Sequence, residues 1–248
     1  MKHTAWSMMI GTALVGLSVG LYFLQIAVFH RVDDTEFYLM QDLAFLPVQV
    51  LLVTLIVDRL MTRREKQTVL NKMNMVIGAF FAEVGTELLR RLIVFDSQSG
   101  VIAPKLAIRA DWSPRRFVEA SDAARSHASK IEFPREHQEE LRRFLLERRD
   151  FLLRLLENPS LLEHDTFTDS LWAVFHLTDE LVHRADLKSI PNEDVEHLCG
   201  DIDRAYKCIV AEWLAYMRNL KRDYPYLFSL AVRTNPFDPS ARVEIRST

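Results

Sequence analysis

A run of ionisable side chains between residues 169 and 183 has the types and the spacing that metal chemistry uses. Three carboxylates and two imidazoles surround one tryptophan: Asp169, Trp172, His176, Asp179, Glu180 and His183. At 3.6 residues per turn, these side chains share one face of a helix. His176 lies four residues before Glu180, and Asp179 lies four residues before His183. Each pair could therefore hold one ion between consecutive turns.

A complete metal centre would need further ligands from facing helices. The spacing Glu180-x-x-His183 is that of carboxylate-bridged di-iron bundles, and Asp194-x-x-His197 repeats it. Two more carboxylates could come from an earlier segment, at Glu83 and Glu87. No sequence signal places these segments face to face, and one helix face offers two well-placed ligands at a time. The favoured interpretation is a solvated helix face with intrahelical carboxylate–imidazole pairs, for which we predict no tight metal and no cofactor.

Sequence signatures of other chemistries are weak. His164-Asp165 is an isolated His-Asp dipeptide, whereas a metal phosphohydrolase needs more histidines in a defined order. The sequence has no glycine-rich phosphate loop, no Gly-x-Ser-x-Gly elbow and no Cys-x-x-Cys pair. An enzymatic function, as a metal-dependent hydrolase or oxidase, therefore depends on the 169–183 face.

The helix that carries this face follows two apolar stretches at the start of the chain. No Asp, Glu, Lys or Arg lies between Lys2 and Arg31, and a second uncharged run extends from Leu43 to Val57. About 20 apolar residues in a helix cross a hydrocarbon core of roughly 30 Å. The first run is too long for a signal peptide and lacks a small-residue cleavage site. We predict a transmembrane hairpin over residues 1–61, with spans at about 5–29 and 43–61.

The charges around the two runs predict their orientation. The connecting loop, from His30 to Asp42, has one Arg and four acidic residues. A basic cluster follows the second run: Arg59, Arg63, Arg64 and Lys66. Basic segments stay on the cytoplasmic side and contact anionic headgroups. We therefore expect a multi-pass protein of the cell inner membrane, with the lipid bilayer as a partner and both termini in the cytoplasm.

Small and amide side chains indicate how the spans pack. Gly16 and Gly20 have the four-residue spacing that lets helix backbones approach closely. This approach would occur either in a homo-oligomer through the first span or against the second span. Gln25 and Gln49 are expected at similar depth, so that an amide pair could join the spans. Oligomerised hairpins would form a small membrane pore, which is a further functional alternative.

The rest of the chain is expected to form one helical domain over residues 62–234 and a tail over residues 235–248. With only 7 glycines in 248 residues, the composition favours helix. A helix should continue from the second span to about Phe95, and helix starts are expected at Ser113-Pro114, Pro134 and Pro191. Val101–Trp112 is expected to be irregular or short extended structure. The predicted fold class is all-α, with two transmembrane helices followed by a cytoplasmic helical bundle.

Four segments resemble a known family: Pro47–Lys66, Asn74–Gly85, Asn158–Glu180 and Tyr224–Asp238. They are similar to an uncharacterised prokaryotic family with a short membrane hairpin and a helical cytoplasmic domain. The resemblance implies that architecture and no catalytic residue. The net charge of −3 gives no reason to expect nucleic acid. The leading functional hypothesis is a non-enzymatic, membrane-anchored interaction or scaffold protein with a protein partner at its cytoplasmic domain.

Overall fold

The computed structural model of the protein describes residues 2–29, 32–159, 161 and 165–244, and its regular elements in these ranges are helices. The chain divides into two compact units, Met1–Lys66 and Gln67–Thr248. Helix α1 spans Lys2–Phe29, and α2 spans Val32–Phe80. Five residues of π-helix, Phe81–Gly85, precede α3. The later helices are α3 (Thr86–Phe95), α4 (Ser99–Leu106), α5 (Pro114–Arg125), α6 (Arg135–Leu156), α7 (Asp165–His183), α8 (Asn192–Asp223) and α9 (Pro225–Arg233).

The first unit contains α1 and the N-terminal part of α2. Helix α2 begins at Val32. The prediction of a loop up to Asp42 is therefore wrong, because residues 32–42 are helical. Acidic side chains early in this segment favour a helix, since they compensate the positive end of the helix dipole. The Tyr22 hydroxyl donates a hydrogen bond of 3.1 Å to Oδ2 of Asp42 and so connects α1 with α2.

The second unit is built around α8, against which α3, α5, α7 and α9 pack. One face of α8 is buried at three- and four-residue intervals: Ile202, Ala205, Ile209, Trp213, Met217 and Leu220. Aromatic rings fill the space beside it. The Phe81 ring stacks on that of Tyr216 with centroids 4.8 Å apart, and the Phe80 ring meets that of Phe167 edge-on at 5.4 Å. Burial of these apolar groups is the main force that holds the unit together.

Local helix signals in the sequence are confirmed. The Ser113 hydroxyl accepts a hydrogen bond from the Arg116 amide at 3.3 Å, and Pro114 is the first residue of α5. Helices α6 and α8 begin directly after Pro134 and Pro191. The helical course also continues to Phe95 as expected. His164 lies outside the described residues.

The expectation of an irregular stretch over Val101–Trp112 is wrong for its first half, which belongs to α4. Gly100 and Pro104 lower the helix propensity of this segment. Ile102 and Leu106 lie one turn apart and are both buried, so that tertiary packing outweighs the local preference.

A buried carboxylate joins two connections of the second unit. Asp96 is fully buried, and its Oδ1 accepts hydrogen bonds of 3.0 Å from the amides of Gln98 and Lys130. Its Oδ2 lies 2.6 Å from Nε2 of His127. The connection after α3 is therefore fixed to the connection after α5.

Asn235 and Phe237, at the start of the predicted tail over 235–248, extend the core. The Phe237 ring is 2% exposed and lies 5.0 Å from the ring of Trp213. Asn235 is also buried, and its side-chain amide donates to the carbonyl oxygen of Leu106 at 3.2 Å. This part of the chain completes the hydrophobic core beside α8.

Replacing Phe237 with Ala is expected to lower the free energy of unfolding by about 3–5 kcal/mol, because it leaves a cavity against Trp213. The measurement is urea denaturation of the full-length protein, monitored by the helical signal in circular dichroism. Val243→Ala is the matched control. Its side chain is 58% exposed, so its effect should stay within about 0.5 kcal/mol. Equal effects of the two substitutions would contradict the docking of this segment.

Gly85 closes the π-helix in a crowded position. A Cβ atom on Gly85 would lie 2.6 Å from Cδ1 of Phe81 and 2.7 Å from Cε1 of Phe80. Both rings are buried and have little room to shift. The absence of a side chain therefore permits this packing.

Gly85→Ala is expected to destabilise the protein by about 1–3 kcal/mol, the usual cost of overpacking a core. Gly200→Ala is the control, because a Cβ on that helical residue would meet no described atom within 4 Å. This control should stabilise the protein by up to about 1 kcal/mol, the difference in helix propensity. A neutral or stabilising Gly85→Ala in the same denaturation assay would refute the proposed crowding.

Candidate functional site

Two consecutive helices bring a polar cluster together. Helix α7 ends at His183 and α8 begins at Asn192, so a short connection joins them. His176 faces Asp201, while Glu180, one turn later on α7, faces His197, one turn earlier on α8. This order of contacts shows that the two helices run antiparallel. The face predicted on α7 therefore meets a second polar face on α8.

The cluster consists of His176, Glu180, His197 and Asp201. The Nε2 atoms of His176 and His197 lie 3.5 and 3.4 Å from Oδ2 of Asp201. Oε1 of Glu180 lies 3.9 Å from Nε2 of His176, and its Oε2 lies 3.8 Å from Nε2 of His197. One ligand atom from each of His176, His197 and Asp201 lies within 4.8 Å of the other two. Two imidazoles thus converge on one carboxylate oxygen.

Asp201 forms the buried floor of the cluster. Its side chain is 3% exposed, whereas those of His176 and His197 are 45% and 56% exposed. Oδ1 accepts a 3.0 Å hydrogen bond from Arg204. Oδ2 is buried and makes no hydrogen bond of good geometry within the described residues, although it faces the imidazole nitrogens of His176 and His197. A buried carboxylate oxygen without a donor is costly, so this atom is suited to contact a cation or a protonated imidazole.

Arg184 holds the carboxylate of Glu180 in place. Its Nη1 donates to Oε2 of Glu180 at 2.7 Å, and its Nε and Nη2 donate to the two oxygens of Asp194 at 2.7 and 2.6 Å. Hydrogen bonding to Arg184 lowers the pKa of Glu180 and also that of Asp194. The same contacts raise the pKa of Arg184. Glu180 is therefore an ionised, oriented acceptor at the edge of the cluster.

Several residues predicted with this face have other partners. The Asp179 carboxylate pairs with Arg149, and Nδ1 of His183 lies 2.7 Å from the backbone oxygen of Asp179. The expected side-chain pair between Asp179 and His183 is therefore wrong. Glu87 pairs with Arg90 and Arg91. Trp172 remains 56% exposed beside the cluster.

Sequence reasoning missed Asp201, although a signal for it was present. His176-x-x-x-Glu180 and His197-x-x-x-Asp201 are equally distant from a midpoint between Lys188 and Ser189. In an antiparallel helical hairpin, residues equally distant from the turn lie at the same height. The reason for expecting no metal, the lack of an identified facing helix, therefore no longer holds. The prediction itself remains untested.

The packing residues predicted in the first unit have open surroundings. A Cβ atom added at Gly16 or Gly20 would meet no described atom within 4 Å. Close packing of another helix at these glycines remains a prediction. Gln25 is half-buried and Gln49 is exposed, and their amide pair remains a prediction. A described hydrogen bond between these helices runs from Tyr22 to Asp42.

The first unit also exposes a long apolar surface. Within the described residues, one helix segment, Asp34–Thr62, is long and apolar enough to cross a membrane, and Thr12–Val28 is a shorter apolar stretch. None of the most apolar part of Asp34–Thr62 is buried. Arg59 and Arg64 are exposed on the same helix, while the side chains of Arg63 and Lys66 lie outside the described ones.

Comparison with known proteins identifies relatives of the whole chain. Residues 69–233 match a family described as "Uncharacterized protein MJ1433, C-terminal helical domain", and residues 2–61 match its N-terminal helical domain. The Uncharacterized protein MJ1433 of Methanocaldococcus jannaschii is 41% identical over 238 residues, which cover 96% of each chain. No solved structure matches. The all-helical fold and the predicted resemblance to an uncharacterised family are thus confirmed, and the chain belongs to the MJ1433 family.

Proposed function

We propose that this protein is anchored in the cell membrane by α1 and the N-terminal part of α2, and that its helical unit acts at the cytoplasmic face as an interaction module. The observation that carries this proposal is the exposed apolar surface of Asp34–Thr62. Water is an unfavourable environment for such a surface, whereas a bilayer core is a favourable one. The division of the family into an N-terminal and a C-terminal helical domain supports separate roles for the two units.

The extent of the exposure supports lipid as the surrounding medium. Large apolar side chains are about half exposed or more on successive turns of α2: Leu51, Leu52, Val53, Ile56, Val57 and Leu60. Soluble monomers rarely expose contiguous apolar patches larger than a few hundred Å². Arg59 and Arg64 follow this region and suit the level of the lipid headgroups.

Exposed aromatic side chains support a contact role for the second unit. Trp172 is 56% exposed on α7, and Tyr226 is 72% exposed on α9. Tryptophan and tyrosine are the residue types most enriched at the energetic centres of protein interfaces. The proposed protein partner would therefore use a surface that contains one of them.

A thiol placed in the membrane should react slowly with a hydrophilic maleimide, because the reactive thiolate needs water. We expect Leu52→Cys to be labelled at least about 10-fold more slowly than Val101→Cys in intact membranes. The two native side chains are similarly exposed, at 53% and 58%, so the protein itself shields neither. Both variants are made on a Cys199→Ser, Cys208→Ser background.

Labelling of the same variants after the membrane has been dissolved is the control. After denaturation in sodium dodecyl sulphate, both cysteines should react at similar rates. Fast labelling of Leu52→Cys in intact membranes would contradict the proposed anchor.

The cytoplasmic orientation has a separate test. A phosphatase fused to the C-terminus should be inactive, whereas a fluorescent protein at the same position should fluoresce. Substituting Gln for the whole basic cluster should increase phosphatase activity, since these charges hold the segment inside: Arg59, Arg63, Arg64 and Lys66. An active phosphatase fusion of the unchanged chain would overturn the orientation.

A further inference from the structure

We propose that His176, His197 and Asp201 bind one divalent first-row transition metal ion, with Zn²⁺ preferred, and that a fourth coordination position lies open beside Glu180. This site is independent of the proposed membrane anchor. Its ligands come from two helices, and none of the residues involved belongs to the first unit.

The distances between the ligand atoms fit the proposed ion. Ligand atoms about 2 Å from a tetrahedral zinc ion lie roughly 3.3 Å from one another. The two imidazole–carboxylate distances, 3.5 and 3.4 Å, are close to this value. They are also longer than good hydrogen bonds between nitrogen and oxygen. One nitrogen of each imidazole also lies within 4.8 Å of the other, so the three ligand atoms are close enough to share one ion.

The burial of the Asp201 carboxylate also supports a bound cation. Its Oδ2 atom belongs to a side chain that is 3% exposed, makes no hydrogen bond of good geometry, and faces the two imidazole nitrogens at 3.5 and 3.4 Å. A native structure seldom leaves such an atom without a partner unless an ion or water satisfies it. Arg204 donates to Oδ1, so Oδ2 remains the oxygen that faces the two imidazoles and the proposed ion. A cation at this point would offset the cost of burying the carboxylate charge.

The ligand types select the class of metal. Imidazole nitrogen suits zinc, copper, iron and nickel, whereas calcium and magnesium prefer oxygen ligands. Two histidines with one carboxylate form a recurring set in zinc sites that leave one position for water. The exposure of His176 and His197 leaves solvent access on that side.

Glu180 and its partners form the surroundings of the open position. Its two oxygens lie 3.9 and 3.8 Å from the imidazole nitrogens, so it can accept a hydrogen bond from water on the metal. Arg184 fixes this carboxylate, and Asp194 fixes Arg184. Such supporting contacts orient the groups next to a metal and tune its affinity.

Metal titration of the full-length protein in detergent tests the proposal. The protein is purified without a histidine tag, stripped with a chelator and titrated with Zn²⁺ against a chromophoric chelator. We expect a single zinc ion per chain. His176→Ala, His197→Ala and Asp201→Asn should each weaken zinc affinity by more than about 100-fold, beyond the range of a supporting residue.

Matched controls lie on the same helix face. His183→Ala and Asp179→Asn remove the same chemical groups outside the cluster, and both should keep the zinc affinity unchanged. Glu180→Gln should retain one zinc ion, because Glu180 is a neighbour of the open position and not a ligand. Zinc binding that depends on His183 as much as on His176 would overturn the assignment.

X-ray absorption at the zinc edge removes the dependence on variants that fail to fold. Zinc on the unchanged protein should show two imidazole ligands with nitrogen and oxygen neighbours at about 2.0–2.2 Å. Circular dichroism of each metal-free variant shows whether its helices persist. Failure to take up one zinc ion, or zinc with fewer than two imidazole ligands, would refute the site and leave His176, His197 and Asp201 as a metal-free polar network.

Discussion

Burial of one face of α8 is the interaction on which the helical unit depends. The face carries Trp213 and a ladder of aliphatic residues, and four other helices pack against it. The π-helix contacts it through the rings of Phe81 and Tyr216, and the last described loop contacts it through those of Phe237 and Trp213. The N-terminal half of α8 adds the polar groups His197 and Asp201 at the edge of the same face.

The polar cluster shows how an apolar face and a chemical site share one helix pair. Leu177 and Leu181 on α7 and Leu198 and Ile202 on α8 are fully buried and fix the register of the two helices. Their polar neighbours in the chain, among them Glu180 and Asp201, then meet at fixed heights. The bidentate contact between Arg184 and Asp194 closes the pair near its turn. The packing of the apolar core thus determines where the polar side chains of the cluster lie.

Local signals and tertiary signals differed in how well the sequence revealed them. Ser113, Pro134 and Pro191 mark helix starts through their own backbone chemistry, and the helices begin where these residues predict. Helix α4 was missed because Gly100 and Pro104 argue against a helix, while the burial of Ile102 that favours it is a tertiary effect.

The sequence revealed only the part of the candidate site that lies on one helix, because the other part depends on tertiary structure. Helical periodicity alone predicts that His176 and Glu180 share one helix face, because both lie on the same helix. The participation of Asp201 depends on which helix lies opposite and in what register. The two His-x-x-x-carboxylate spacings contain this information only once α7 and α8 are taken as an antiparallel pair. Burial of Asn235 and Phe237 likewise depends on distant partners, Leu106 and Trp213.

The position of Phe237 has a consequence for the order of events during synthesis. The residues that complete the core beside Trp213 leave the ribosome after the apolar helices α1 and α2, because they follow them in the chain. Domains form as units once their chain is available. The apolar N-terminal helices are therefore synthesised while the helical unit still lacks part of its core. The order of translation therefore lets the first unit form before the second unit can complete its folding.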